Sequence, residues 1–219
     1  MNNIIDDYEA IKETVTNQLN NYWSDYDETV IEKAIPETIR IIKNGIDELS
    51  QQVLSPYVSV QWMVFLYRLA HQIYVEANNG VPKEADQIYY LNKIMHANDW
   101  FYAIDLPIHF RCEHPLGSVL GRAKYGDYLF VYQGTTVGGN RSKGKLSYPS
   151  IGDNVIMYAN STILGDSQIG NNVVIAAETF IINGIIPDNC IVFGKSPNLT
   201  IERKTEQEIK AYTEHIWKW

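Results

Sequence analysis

Two hydrophobic patterns divide the chain. Over residues 3–98 apolar side chains recur at helical spacing, which predicts four helices. The predicted helices span residues 3–22, 28–49, 58–78 and 83–98. From about Ile104 the pattern changes to short β-branched segments punctuated by glycine. We therefore expect an α-helical N-terminal domain over residues 1–103 and a β domain over residues 104–200.

The β domain carries a six-residue repeat. Aliphatic residues recur every sixth position without a slip at Ile151, Met157, Ile163, Ile169, Ile175 and Ile181. A helix repeats every 3.6 residues and a strand every two, so neither alone explains this period. Six residues is the rung length of hexapeptide β-helices, in which short strands alternate with tight turns. The sequence therefore predicts a parallel β-helix.

The repeat is interrupted at two places. The column extends backwards through Leu120, Val131 and Val137. The interval from 120 to 131 is one residue short of two rungs, which predicts a tightened corner at Gly126. The interval from 137 to 151 contains eight residues more than one rung. We expect those residues to leave the coil as an excursion loop within residues 138–150.

A short helix is predicted at the C-terminus. Thr205 and Glu208 form a capping-box pattern ahead of Ile209 and Tyr212. We expect the segment 201–219 to be a capping helix that covers the open end of the coil, because an uncovered solenoid end invites edge pairing. The predicted fold class is α+β: an N-terminal helical domain, a β-helix and a short C-terminal helix.

The charge and composition of the chain limit the classes of partner that we expect it to bind. The 219-residue chain has a net charge of −8 and a pI near 5.1, which argues against nucleic acid as a partner. We find no apolar run long enough to span a membrane and no signal-peptide pattern at the N-terminus, so we expect a cytoplasmic protein. Cys112 and Cys190 are interpreted as reduced thiols.

The histidines of the helical region are interpreted as structural. His71 lies in a helix that is apolar nearly all round, and no second titratable group recurs beside it at helical spacing. We therefore expect a packed, hydrogen-bonded side chain at His71, and similarly at His96. His215, near the C-terminus, is interpreted in the same way.

An ordered set of motifs resembles one known family. The motifs are Glu113-His114-Pro-Leu-Gly117, Val137-Gly138-Gly139, Tyr148-Pro149-Ser-Ile151-Gly152, Ile163-Leu-Gly165 and Gly194-Lys-Ser-Pro197. In order and spacing they resemble the serine acetyltransferase branch of the hexapeptide-repeat acyltransferases. The resemblance implies a left-handed parallel β-helix and acetyl-CoA as the acyl donor. It also implies homotrimers with active sites between subunits, possibly paired as dimers of trimers.

The same resemblance assigns the catalytic residues. The family's base, which takes the proton of the acceptor hydroxyl, matches His114. A neutral imidazole suits this task because it accepts a proton near neutral pH. A base of this kind is usually oriented by an acid, and two acids compete for that role. Asp105 lies nine residues upstream, nearer than the family's acid, whereas Glu113 matches the family's substrate-side acid.

The donor site is predicted from charge and from the family's loop. The cations Arg141, Lys143 and Lys145 of the excursion, with Lys195 further on, would meet the phosphates of CoA. Gly138 and Gly139 would permit close approach of the backbone. Ala159 and Ala177, on the regular coils, are assigned to the same donor groove.

The acceptor site departs from the family. Serine acetyltransferases carry Arg-His-Pro at the end of the excursion, whereas this chain has Ser147-Tyr148-Pro149. A Ser hydroxyl cannot replace the guanidinium that grips the serine carboxylate. We therefore favour a sugar hydroxyl of a surface polysaccharide or its precursor, with Tyr148 and Glu113 contacting it. L-Serine stays open as the alternative acceptor.

Three further expectations follow. A zinc enzyme of the same fold is disfavoured, because the repeat region after His114 lacks a further histidine, so no metal is expected. A non-catalytic scaffold is the remaining alternative. Docking to cysteine synthase through a terminal isoleucine is not expected, since the chain ends Trp217-Lys-Trp219.

Overall fold

A computed structural model describes residues 3–45, 54–78, 80–142 and 144–217. The chain divides between Ala103 and Ile104 into two compact units. Lys143, Lys218 and Trp219, which carried some of the expectations above, lie outside the described residues, as does the predicted end of the second helix. Within the described part, no helix is both long and apolar enough to cross a membrane.

The first unit contains the four predicted helices. Their bounds are α1 (Tyr8–Leu19), α2 (Glu28–Gly45), α3 (Ser59–Glu76) and α4 (Lys83–His96), followed by the short strand β1 (Asp99–Trp100). The N-terminus of α1 starts later than predicted because Asp7 caps it, accepting a hydrogen bond from the Ala10 amide. At α2 the Asp27 carboxylate accepts a hydrogen bond from the Thr29 amide.

Helix α3 is the buried centre of the helical unit. Its side chains Trp62, Phe65, Leu66 and Leu69 have no exposed surface, as the apolar sequence predicts. The structural interpretation of its histidine is confirmed, because His71 Nδ1 lies 2.7 Å from the Tyr102 carbonyl oxygen. His96 is also buried, and desolvation lowers the pKa of its imidazole.

The second unit is a parallel β-solenoid with three faces. The first face stacks β2 (Phe110–Cys112), β5 (Leu129–Val131), β10 (Val155–Met157), β13 (Val173–Ile175) and β16 (Cys190–Lys195). The second face stacks β3 (Val119–Leu120), β6 (Thr136–Gly138), β11 (Thr162–Leu164) and β14 (Phe180–Ile182). The third face stacks β4 (Lys124–Tyr125), β9 (Ser150–Ile151), β12 (Gln168–Ile169) and β15 (Ile185–Ile186). The predicted fold class is confirmed.

The six-residue column forms the core of the solenoid. Met157 pairs with Ile175, and Ile163 pairs with Ile181, so one coil takes 18 residues, or three rungs. The members of this column are at most 5% exposed. Burial of one aliphatic side chain per rung in a shared interior therefore sets the register.

The excursion lies where the sequence predicts it. Val137 pairs with Ile163, 26 positions later, which is eight residues more than a regular coil. The extra residues form an antiparallel hairpin of β7 (Asn140–Ser142) and β8 (Lys145–Ser147). Gly144, in the turn, has a φ of 80°, a conformation that glycine adopts without steric cost.

The tightened corner lies elsewhere than predicted. Leu120 pairs with Val137, and Tyr125 pairs with Ile151, so the missing residue falls between 120 and 125. Gly126 instead occupies a regular position one residue after Tyr125. A Cβ there would lie 2.3 Å from the carbonyl carbon of Gly152, so this glycine serves close stacking of coils rather than a deletion.

Ladders of hydrogen-bonded asparagine side chains stabilise the corners between the faces of the solenoid. Asn154, Asn172 and Asn189 all have φ between 53° and 55° and stack in successive coils. The Nδ2 of Asn154 donates to Asn172 at 2.9 Å, and that of Asn172 donates to Asn189 at 2.9 Å. Asparagine tolerates this left-handed conformation, and the Nδ2 groups of Asn154 and Asn172 find acceptors in the ladder. The corners are thereby fixed without large side chains.

The C-terminal segment covers the free edge of the last coil and a flank of the solenoid. β17 (Asn198–Arg203) pairs antiparallel with β16, and α5 (Glu206–Thr213) follows with the predicted capping box at Thr205 and Glu208. Beyond α5, Ile216 and Trp217 pack against Phe130 and Ile156 on the first face. The free edge of the last coil is therefore covered by β17 rather than by the predicted helix, and the apolar outer side chains of the first face attract the residues after α5.

Candidate active site

His114 lies on an enlarged corner of the first coil. Cys112 pairs with Val131, and Leu120 pairs with Val137, so seven residues separate Cys112 from Leu120 where five separate Val131 from Val137. His114 itself has a φ of 48°, an uncommon conformation for a residue other than glycine. Its side chain is 77% exposed. The inserted corner thus presents the imidazole outward, free of the coil.

Glu113 is the predicted acid that lies beside this imidazole. Its Oε1 is 3.8 Å from Nε2 of His114, which is longer than a hydrogen bond. The carboxylate instead interacts with the Tyr132 hydroxyl of the next coil. Burial, followed by this interaction and the Glu113 charge, raises the pKa of Tyr132 to about 12. Asp105 is an exposed residue of the segment that precedes β2.

A second histidine forms a closer pair with a carboxylate. His109 Nδ1 lies 2.7 Å from Asp127 Oδ2, and the imidazole stacks on Tyr128 with ring centroids 4.4 Å apart. Asp127 belongs to a corner ladder, since its amide donates to Asp153 Oδ1 at 2.8 Å. We interpret this pair as the cap of the first coil. The sequence signal for it is the place of Asp127 in the repeat, two positions after Tyr125.

The excursion hairpin presents two of the predicted donor cations. Arg141 and Lys145 lie on its paired strands, and both are exposed. The Arg141 guanidinium donates to the Gly144 carbonyl oxygen at 3.1 Å. The hairpin therefore carries positive charge in an otherwise acidic chain.

The base of the hairpin is closed by an aromatic ring. A Cβ on Gly139 would lie 2.8 Å from Cε1 of Tyr148 and 3.1 Å from Cδ1 of Leu146. The free space at Gly139 is therefore occupied by this ring, which differs from the expected approach to the donor. Tyr148 is 41% exposed and remains accessible to a ligand.

The remaining donor residues lie along the coils. Gly138 is on the second face, where a Cβ would lie 3.8 Å from Leu164 Cδ2, an ordinary contact distance. Ala159 and Ala177 occupy equivalent corner positions, because the Glu178 amide donates to the Ala159 carbonyl oxygen at 2.9 Å. Lys195 is exposed at the end of β16. Metal ligation is a separate matter: in the described ranges no three His, Cys, Asp or Glu side chains gather closely enough to hold a metal ion.

The solenoid is similar in sequence to known proteins. Residues 148–183 match the family described as "Bacterial transferase hexapeptide (six repeats)". A serine acetyltransferase of Synechococcus elongatus is 29% identical over 153 residues, which cover 69% of this chain and 59% of that relative. The solenoid contains a hexapeptide repeat and is similar in sequence to serine acetyltransferases. The resemblance inferred from the motifs is confirmed.

Solved structures extend the likeness in fold to most of the chain. A serine acetyltransferase described as a complex with cysteine gives a TM-score of 0.71 at 18% identity, covering 96% of this chain and 85% of that one. The enzyme from Brucella abortus strain S19, described as a complex with coenzyme A, gives 0.66 at 18% identity, with 90% and 83% covered. The chain nevertheless spans only about three fifths of the length of the Synechococcus relative.

Proposed function

We propose that this protein is an acetyl-CoA-dependent O-acetyltransferase of the serine acetyltransferase type. The observation that carries the proposal is His114, a solvent-facing imidazole on an inserted corner with a carboxylate beside it. The hairpin with Arg141 and Lys145 supplies positive charge suited to the phosphates of CoA. The solved relative that binds coenzyme A supports this donor.

His114 has a simple task in this reaction. Its imidazole removes the proton from the acceptor hydroxyl as the oxygen attacks the thioester carbonyl carbon. The new C–O bond forms, the C–S bond breaks, and the imidazolium returns the proton to the departing thiolate. General base catalysis of this kind contributes typically about 10²–10⁴ in rate.

Glu113 and Asp105 are assigned different parts. Glu113 contributes negative charge next to His114, where it can stabilise the imidazolium and contact the acceptor. Because the 3.8 Å separation exceeds a hydrogen bond, direct orientation by Glu113 would require a small shift when substrate binds. Asp105 remains the alternative orienting acid.

L-Serine is the first acceptor to test. The relatives similar in sequence are serine acetyltransferases, and a solved relative holds cysteine, an amino acid of the same size. They support the serine alternative better than the polysaccharide sugar favoured by the sequence alone. A sugar hydroxyl stays the second candidate because of one observation: the exposed Tyr148 stands at the end of the excursion, and position 147 is Ser.

An acceptor panel distinguishes these candidates. Purified protein is mixed with acetyl-CoA, and released CoA thiol is followed with L-serine, related amino acids, nucleotide sugars and free glycans. Turnover with L-serine and none with sugars would assign the serine acetyltransferase reaction. The opposite pattern would assign a sugar acceptor, whereas no release with any hydroxyl would contradict the proposed activity.

The assembly proposed for the protein is a homotrimer, possibly a dimer of trimers. Leu116 is 63% exposed and Val119 is 37% exposed, and both flank the corner that carries His114. Apolar side chains beside a catalytic group are suited to burial by a neighbouring subunit. Active sites between subunits would follow from this arrangement.

A further inference from the structure

One column of side chains on the solenoid joins the candidate acid to the C-terminal helix. Cys112 pairs with Val131, and Val131 pairs with Met157. The residues that follow them, Glu113, Tyr132 and Tyr158, therefore occupy equivalent positions in three successive coils. Neighbouring strands lie about 4.8 Å apart, so these side chains must meet.

The backbone fixes this column. The Glu113 amide donates to the Val131 carbonyl oxygen at 3.1 Å, and the Tyr132 amide donates to the Met157 carbonyl oxygen at 3.0 Å. Because both bonds belong to the parallel ladder, neither depends on the side chains. The positions of Glu113 and Tyr132 in successive coils are therefore set by the backbone of the solenoid.

The tyrosine rings stack within this frame. Tyr132 and Tyr158 have ring centroids 5.1 Å apart and planes inclined by 11°. Burial, followed by the interaction with Tyr212 of α5, raises the pKa of the Tyr158 hydroxyl. In this column the Tyr132 ring therefore stands between the Tyr158 ring and Glu113, and the Glu113 charge contributes to the raised pKa of the Tyr132 hydroxyl.

We propose that Tyr132 is a positioning residue that fixes the Glu113 carboxylate beside His114 through its hydroxyl, with the Tyr158 ring holding Tyr132 in place. Tyr132 touches no reacting atom; it acts through Glu113 alone. This inference rests on the proposed function, in which Glu113 contacts the acceptor. A hydroxyl that is neutral up to high pH donates to this carboxylate throughout the working range, and a bond to a charged acceptor is stronger than a neutral one.

A double-mutant cycle tests the assignment. Tyr132→Phe removes the hydroxyl and keeps the ring, Glu113→Gln removes the charge, and the double variant combines them. Kinetics are measured with the acceptor that gives most turnover in the panel. Tyr132→Phe should lower kcat/KM for the acceptor by about 3- to 30-fold and leave the KM for acetyl-CoA unchanged. In the Glu113→Gln background the same change should cost less than about twofold, because the hydroxyl has lost its charged partner.

Tyr158→Phe is the matched control. It also loses a hydroxyl but keeps the stack on Tyr132, so its kcat/KM should stay within about twofold of the wild type. A loss of folded protein would lower kcat without changing either KM, which separates misfolding from loss of positioning. Thermal unfolding of all four proteins checks this directly.

Two results would overturn the inference. Wild-type kinetics in Tyr132→Phe would show that the hydroxyl does not position Glu113. Equal losses in both backgrounds would show that Tyr132 acts independently of Glu113. Absence of wild-type turnover with every acceptor would instead contradict the proposed function, so the two failures are distinguishable.

Discussion

Because Gly139 has no side chain, the ring of Tyr148 can pack against its backbone. A Cβ there would approach Tyr148 Cε1 to 2.8 Å, a distance that requires the ring to move. We predict that Gly139→Ala destabilises the protein by about 0.5–1.5 kcal/mol, the cost of moving the partly exposed Tyr148 ring away from its preferred rotamer. Gly138→Ala is the matched control, because its Cβ would meet Leu164 Cδ2 at 3.8 Å. Denaturant unfolding compares the two variants, and equal stability would contradict the packing described for Tyr148.

His114 could be identified from the sequence, but Tyr132, which lies beside its neighbour Glu113, could not. His114 and Glu113 stand in one motif, so spacing along the chain was sufficient to find them. Tyr132 contacts Glu113 from the next coil, 19 positions away, because the first coil is longer than the 18-residue repeat. A partner across coils can be predicted only when every insertion has been counted, and the inserted corner at 113–119 was not visible from the period.

The residues after α5 are anchored to the solenoid by Trp217. Trp217 is 1% exposed, and its ring meets that of Tyr128 edge to face at 5.3 Å. The Arg111 guanidinium lies 5.5 Å from its ring centroid and donates to the Ile216 carbonyl oxygen. Trp217 therefore anchors the end of this segment on the first coil.

We predict that Trp217→Ala destabilises the protein by about 3–5 kcal/mol. The exposed residue His215, two positions earlier, supplies the control, since His215→Ala should change stability by less than about 0.5 kcal/mol. Differential scanning calorimetry measures both. A Trp217→Ala protein that melts with the wild type would contradict the docking of this segment.

The helix cap of this segment could be predicted from the sequence, but the surface on which the segment packs could not. The Thr205–Glu208 capping box is a short-range feature and appears as predicted. Where the residues after α5 pack depends on the apolar outer side chains Phe130 and Ile156. In the sequence those positions alternate with the interior column, so their outward direction could not be recognised without the coil.

Across the whole molecule, the regular coils could be predicted from the sequence, whereas the departures from the repeat could be predicted only in part. The 18-residue coil follows from the column Ile151 to Ile181, and the eight-residue excursion follows from counting. The shortened corner was placed at Gly126 because glycine is typical of tight turns, whereas that glycine serves close stacking against Gly152. Function is proposed at the departures from the repeat: the inserted corner with His114 and the hairpin with Arg141 and Lys145.

The most direct test of this account is the turnover of His114→Ala. Release of CoA is measured with saturating acetyl-CoA and the acceptor selected by the panel, beside the wild type and His109→Ala. We predict that the kcat of His114→Ala falls by a factor of about 10²–10⁴ while the protein remains folded, since only the base is removed. His109→Ala, which alters the capping pair with Asp127, should keep most of the turnover of its folded fraction. Wild-type kcat in folded His114→Ala would contradict the account.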